Sequence, residues 1–166
     1  DIRDLEYKEE SIDEIRSHHL FEHFSRAEAM RLLLRWRRWL KVGGKLVIET
    51  PDFFWCSLFF LFVPYKFKLR LGRHIFGSQE DTWANHLDFW HKRKFKKVLS
   101  KIGFEQFRFS HPVYRNLLPN IKVECVKGDK NIDEKAVIKE ILLGYILPGE
   151  DKEKFLKNWL VDNSMI

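Results

Sequence analysis

Seven histidines and the carboxylates beside them are the first candidates for chemistry in this chain. Two clusters stand out: His18, His19, Glu22 and His23, and then Glu49, Thr50 and Asp52. Imidazole changes charge near neutral pH, so a histidine beside a carboxylate can take or return a proton. His19 and His23 stand at i,i+4 with Glu22 between them, which invites a metal reading. The order is not His-Glu-x-x-His, because Glu22 directly precedes the second histidine, and the spacing supplies no zincin arrangement. No metal is expected on that basis. A Gly-x-Ser-x-Gly elbow is absent, and neither Cys56 nor Cys125 has a histidine beside it in sequence, so nucleophilic hydrolysis is unsupported. No spacing points to paired-carboxylate chemistry.

The elements that must position these groups alternate between strand and helix. Ile12 to Ser17 reads as a brief strand stopping at His18-His19. Ser25 with Glu28 has capping-box spacing, and Met30, Leu33, Leu34, Trp36 and Leu40 give the helix after it an apolar side. Lys41-Val42-Gly43-Gly44 is expected to end that helix, since glycine accepts a left-handed terminus. Lys45 to Thr50 reads as the next strand, stopped by Pro51. Strand, helix, strand in that order predicts a parallel sheet covered by helices. In such sheets ligands bind outside the carboxyl ends of the strands, which is where both clusters fall. Further on, residues 91–102 give a helix, and Phe104 to Phe109 and Ile121 to Val126 give two strands able to pair antiparallel. Between these strands lies His111-Pro112-Val113-Tyr114. Two tail helices follow, one with Val137, Ile138, Ile141 and Leu142 facing inward, the other built on Phe155, Leu156, Trp159 and Leu160.

A chain of 166 residues with 45% hydrophobic content suits one globular domain. The net charge of +6, from 30 basic and 24 acidic side chains, favours anionic partners or leaves a solvated basic face. Two distant cysteines make no disulfide framework, and reduced cytoplasmic thiols are the default. The chain opens Asp1-Ile2-Arg3-Asp4, with no initiator Met and no signal-peptide pattern, which reads as a processed or partial chain.

Four blocks in order carry a resemblance: Asp1-Ile2-Arg3-Asp4-Leu5, Ser11 to Ile15, Leu20-Phe21-Glu22-His23-Phe24, and Leu40 to Ile48. Together they resemble class I S-adenosylmethionine-dependent methyltransferases of the type 11 kind, and the likeness continues more loosely through Gly77, His86 and Gly103-Phe104 to about residue 127. The resemblance implies an α/β fold: a partial Rossmann-like methyltransferase sheet with flanking helices and a terminal antiparallel strand pair, followed by a C-terminal helical tail. Residues 1–127 would be the later portion of the domain, 53–90 an acceptor-site or lid insertion, and 128–166 a helical extension of the same domain.

The cofactor implied is S-adenosylmethionine. By the resemblance, Asp1 approaches the adenine amino group, Ile2 meets the adenine ring, and Ser17, His18 and Leu20 line the methionine side. His18, His86 and then His23 are the candidate bases, while Glu22 with His23 matches the family's Glu-His pair. None of the eight glycines forms the Gly-x-Gly loop the family uses, so residues 1–166 alone are expected to bind the cofactor weakly or not at all, and to be inactive alone. An incomplete sheet would favour pairing with the missing segment or with a second copy.

The uncharged run from Phe53 to Tyr65 is shorter than the roughly 20 residues a spanning helix needs, and Pro64 interrupts it. A buried helix or substrate lid is the leading reading, and an interfacial element dipping into membrane the next. The aromatic run suits a hydrophobic or lipid-linked acceptor, and Lys66, Lys68, Arg70 and Arg73 suit its phosphate. Localisation is then cytoplasmic or peripheral at the membrane. Two other classes compete: a catalytically inactive interaction module, and a nucleic-acid-binding domain using Lys92, Arg93, Lys94, Lys96 and Lys97.

Overall fold

The computed structural model describes residues 1–112, 114 and 117–161, and the backbone alone at Leu160 and Val161. Val113 and the Leu160 side chain, both used in the sequence reading, therefore lie outside the described residues. A 3-10 turn at Ile2–Asp4 precedes strand β1 (Ile12–His18), helix α1 (Arg26–Trp39) and strand β2 (Leu40–Pro51). Helices α2 (Phe53–Phe62) and α3 (Tyr65–Phe76) follow, then α4 (Lys92–Lys101), β3 (Phe104–Ser110), β4 (Asn120–Lys127), α5 (Glu134–Leu143) and α6 (Lys152–Val161).

The four strands lie in the order β1-β2-β4-β3. β1 and β2 run parallel, joined by α1, and both β2–β4 and β3–β4 run antiparallel. The expected Rossmann-like partial sheet with a terminal antiparallel pair and helical tail is therefore the fold observed. The register sets Ser17 opposite Ile48 and His18 opposite Glu49, so the carboxyl ends of both parallel strands finish at one edge.

Local signals explain most of these elements. The Ser25 hydroxyl accepts from the Glu28 amide (3.4 Å) while the Glu28 carboxylate accepts from the Ser25 amide (3.0 Å), which satisfies both orphan donors at the start of α1. α1 then buries Ala29, Met30, Leu33, Leu34 and Trp36 against the sheet, where Leu46 and Ile48 of β2 and Ile121 and Val123 of β4 meet them. An aromatic group seals the end near the site: Phe21 lies 4.8 Å from Trp90, and Trp90 lies 4.6 Å from Phe95. Ile138, Ile141 and Leu142 of α5 and Leu156 of α6 join the same core.

Three expectations are corrected. α1 ends at Trp39, and Gly43-Gly44 sits inside β2 rather than capping a helix. Gly43 does take a left-handed φ of 78°, but it serves a strand irregularity where the β1–β2 register slips between Ile12 and Glu14. The aromatic run is two helices broken at Val63-Pro64, and α2 is not buried: Cys56 is its one fully buried side chain among those described, while Phe54, Leu61 and Phe62 are largely exposed. Lys94, placed in a basic patch by sequence, is itself buried in α4. No described helix is long and apolar enough to cross a membrane.

Candidate functional site

The chain leaves β1 through His19, whose φ of 47° turns it sharply away from the strand. The turn brings Glu22 back under the sheet edge, where it is 2% exposed, close to Glu49 at the end of β2, which is 1% exposed. His19 lies between them, with Nδ1 3.3 Å from Glu22 and Nε2 3.5 Å from Glu49. These two carboxylates, Glu22 foremost, hold the His19 imidazolium and raise its pKa, winning over the burial that opposes them. Glu49 also lies 3.3 Å from His18 Nδ1 and accepts a 2.5 Å hydrogen bond from the Tyr114 hydroxyl. That bond to a carboxylate raises the phenol's pKa.

The other wall comes from α3 and the segment after it. Arg70, Arg73 and His74 of α3, with Gly77, Trp83 and His86, face His19, Glu22 and His23 across an open cleft of about 470 Å³. His23 and His86 meet edge to face at 4.7 Å. Each is oriented through Nδ1, His23 on the Asn85 carbonyl (3.1 Å) and His86 on the Ile75 carbonyl (3.2 Å). Burial lowers the pKa of His86 and of His74, whose Nε2 meets the Pro119 carbonyl at 3.1 Å. The lowered pKa of His86 and His74 favours their proton-accepting form, and the raised pKa of His19 favours its proton-donating form, so the cleft holds groups biased both ways.

The sequence candidates divide. His23 and His86 share the cleft, whereas His18 turns to Glu49 and is not among the residues lining it. Ser17 is buried at the end of β1, and Leu20 is partly exposed beside the turn. Asp1 caps the first 3-10 turn and pairs with Arg3 (2.6 Å), while Ile2 packs against the core. Asp52, in the second sequence cluster, is spent as the cap of α2, accepting from Phe54 N at 3.0 Å and lying 3.2 Å from His111. Sequence reasoning placed His19 in the first cluster without giving it a role, and it missed His74 and the position of Tyr114, whose hydroxyl only the fold brings onto Glu49. Lys92, Arg93, Lys96 and Lys97 rim a separate groove of about 1070 Å³ walled by Phe54 and Trp55 of α2.

A family model described as a methyltransferase domain matches residues 1–48. No curated protein matches the chain. Among solved structures, the chain is similar to 1,6-didemethyltoxoflavin-N1-methyltransferase of Burkholderia thailandensis, with 12% identity, a TM-score of 0.53, and 77% of this chain against 48% of that one. A SAM-dependent methyltransferase from Thermotoga maritima gives 15% identity and a TM-score of 0.53 over 76% of this chain and 61% of that one. Phosphoethanolamine N-methyltransferase 2 of Haemonchus contortus gives 13% and 0.51 over 78% and 36%. The chain thus spans less than two thirds of each. At these identities the likeness shows the fold, which is that of class I S-adenosylmethionine-dependent methyltransferases.

Proposed function

We propose that this chain forms the acceptor side of an S-adenosylmethionine-dependent methyltransferase whose acceptor is an anionic, lipid-linked or otherwise amphiphilic small molecule. The observation that carries this reading is the cleft itself: it opens at the carboxyl ends of β1 and β2, the ligand edge of a parallel sheet, and it sets Arg70 and Arg73 opposite His19, Glu22 and His23. Methyl transfer asks the protein mainly to align an acceptor lone pair with a sulfonium methyl, so positioning is the larger part of the task. The arginines would hold an anionic group by charge-assisted hydrogen bonds. Neutral His86, or His23 beside it, would take the acceptor's proton, and His18 with Glu49 would border the methionine side along with Ser17 and Leu20. Asp1 and Ile2 would meet the adenine.

Two features of the relatives and of the chain support the finer parts. The Haemonchus contortus enzyme was solved with phosphomonomethylethanolamine and S-adenosylhomocysteine, a phosphorylated amine beside the spent cofactor. In this chain the exposed apolar side chains Phe54, Leu61, Phe62 and Tyr65 stand on α2 and at the start of α3, directly before the basic residues Lys66, Lys68, Arg70 and Arg73. That juxtaposition suits an apolar tail or membrane surface next to a phosphate. The free edge of β1, which pairs only with β2 among the described residues, would receive the remaining strands of the sheet or a second copy. Without a Gly-x-Gly loop among its glycines, residues 1–166 by themselves would hold the cofactor weakly.

The test supplies the complete protein with methyl-tritiated S-adenosylmethionine and a total lipid extract. Label is expected in the solvent-extractable fraction, reduced about 10-fold or more by Arg70→Ala or Arg73→Ala, the loss of one hydrogen bond to a charged group. Label confined to nucleic acid or protein, or incorporation indifferent to both arginines, would overturn the acceptor reading.

A further inference from the structure

The cleft also holds three groups that methyl transfer does not require together. We propose that Glu22, His23 and His86 bind one divalent transition-metal ion of the Zn2+ type. One ligand-capable atom from each residue lies within 4.8 Å of those from the other two. Small side-chain rotations close that spacing onto an ion with bond lengths of about 2.0–2.2 Å, and two imidazoles with one carboxylate are an established zinc ligand set.

Two independent observations point to an ion. The first is the outer hydrogen bonding. His23 Nδ1 donates to the Asn85 carbonyl and His86 Nδ1 to the Ile75 carbonyl, at 3.1 and 3.2 Å. A neutral ring that gives its Nδ1 proton to a carbonyl keeps its lone pair on Nε2. That is the support a metal-bound histidine carries, since it fixes both tautomer and ring orientation. The second is Glu22, only 2% exposed, both of whose carboxylate oxygens lack a hydrogen-bond partner among the described residues. The His19 ring faces one of them at 3.3 Å. The other stays buried without a partner among the described residues, and a cation between it and the two imidazoles would satisfy it.

The backbone holds the three ligands together in advance. Leu87 N donates to Glu22 O at 2.8 Å, and His86 N donates to Phe76 O at 3.2 Å, so the segment bearing His86 is tied both to Glu22 and to the end of α3. Residues 19–23 alone hold no zincin spacing; the third ligand, His86, arrives from after α3. Three protein ligands leave a further coordination position for water or an anionic group from the cleft. The inference does not rest on the acceptor reading, because metal binding is read without cofactor or acceptor. With the ion bound, the Nε2 lone pairs of His23 and His86 are occupied, so metal binding stands as an alternative to proton removal by either ring.

The test strips the purified complete protein with chelator and titrates it with Zn2+ alone by calorimetry. One equivalent is expected to bind, with affinity reduced at least about 10-fold by Glu22→Gln and by His86→Ala, and unchanged in His111→Ala. Co2+ in place of Zn2+ is expected to give the visible bands of a low-coordinate site in the wild type and to lose them in His86→Ala. His86→Gln, checked for folding by circular dichroism, stands in if either first variant fails to fold. Absence of stoichiometric binding, or binding that survives both substitutions, would overturn the proposal.

Discussion

Replacing Lys94 by Met is expected to cost about 3–5 kcal/mol of folding stability, the loss that follows when one partner of a buried ion pair is removed. Lys94 sits on α4 with its ammonium 2.6 Å from Asp88 and 2.7 Å from the Phe89 carbonyl. The rings of Phe89 and Trp90 lie 4.3 and 4.2 Å from the same nitrogen. The Asp88 side chain has no exposed area, so without Lys94 its charge would remain inside with Arg26 at 3.8 Å as the nearest described cation. Lys94→Met combined with Asp88→Asn should recover much of the loss, because the uncompensated charge is then gone. Urea denaturation of the three proteins measures this, and a single-variant cost within about 0.5 kcal/mol of zero, the ordinary range of surface substitutions, would contradict it.

The same pair predicts a pH dependence. Burial pushes Lys94 down to about 8, winning over the attraction of Asp88. In the unfolded chain a lysine keeps its proton to about 10.4. Between those two values the unfolded state binds more protons than the folded one, so this residue's contribution to stability rises with pH across that window. Below about 8 both states are protonated and the contribution is flat.

Gly77→Ala is the second large effect. Gly77 ends α3 at a φ of 85°, and a Cβ there would lie 2.0 Å from the Ala84 carbonyl oxygen. That oxygen cannot swing aside freely, because Gly77 bridges Asn85 and the next residue, His86, donates to Phe76. With ψ at 175° this is a backbone region that essentially only glycine adopts, costing an alanine roughly 1–3 kcal/mol, and the clash adds to it. A loss above about 2 kcal/mol is expected, together with displacement of His86 from the Ile75 carbonyl. The denaturation midpoint reads the first, and a histidine NMR spectrum in which the His86 signal shifts reads the second. A variant as stable as wild type with that signal unmoved would contradict the account.

What was legible in sequence was what local chemistry decides. Ser25 and Glu28 announced α1, and the apolar spacing after them announced its buried face. The positions beyond reach were those where a distant partner decides. Gly43-Gly44 has the composition of a helix end, yet Leu40 already pairs with Ile12 and the ladder resumes at Lys45 with Glu14 and Val126, so the glycines form an irregularity inside β2. The aromatic run of α2 reads as core by composition, but among its described side chains only Cys56 is fully buried, and most of α2 faces outward. Lys94 stands in a basic run and is buried where its ammonium meets Asp88, the Phe89 carbonyl and the rings of Phe89 and Trp90, partners that come from the segment before α4. For the site, the two clusters at the strand ends were visible as clusters. Their sorting was not: His18 goes to Glu49, His23 to His86, and His19 to both carboxylates.

Hydrogen exchange of the complete protein with and without S-adenosylhomocysteine tests the central claim most directly. The account predicts slowed exchange at residues 1–5 and 17–24, the adenine and methionine sides, with the amides of α4 and α5 unchanged. Saturating cofactor that leaves residues 17–24 exchanging as before, or that protects α4 instead, would contradict the placement of the site at the ends of β1 and β2.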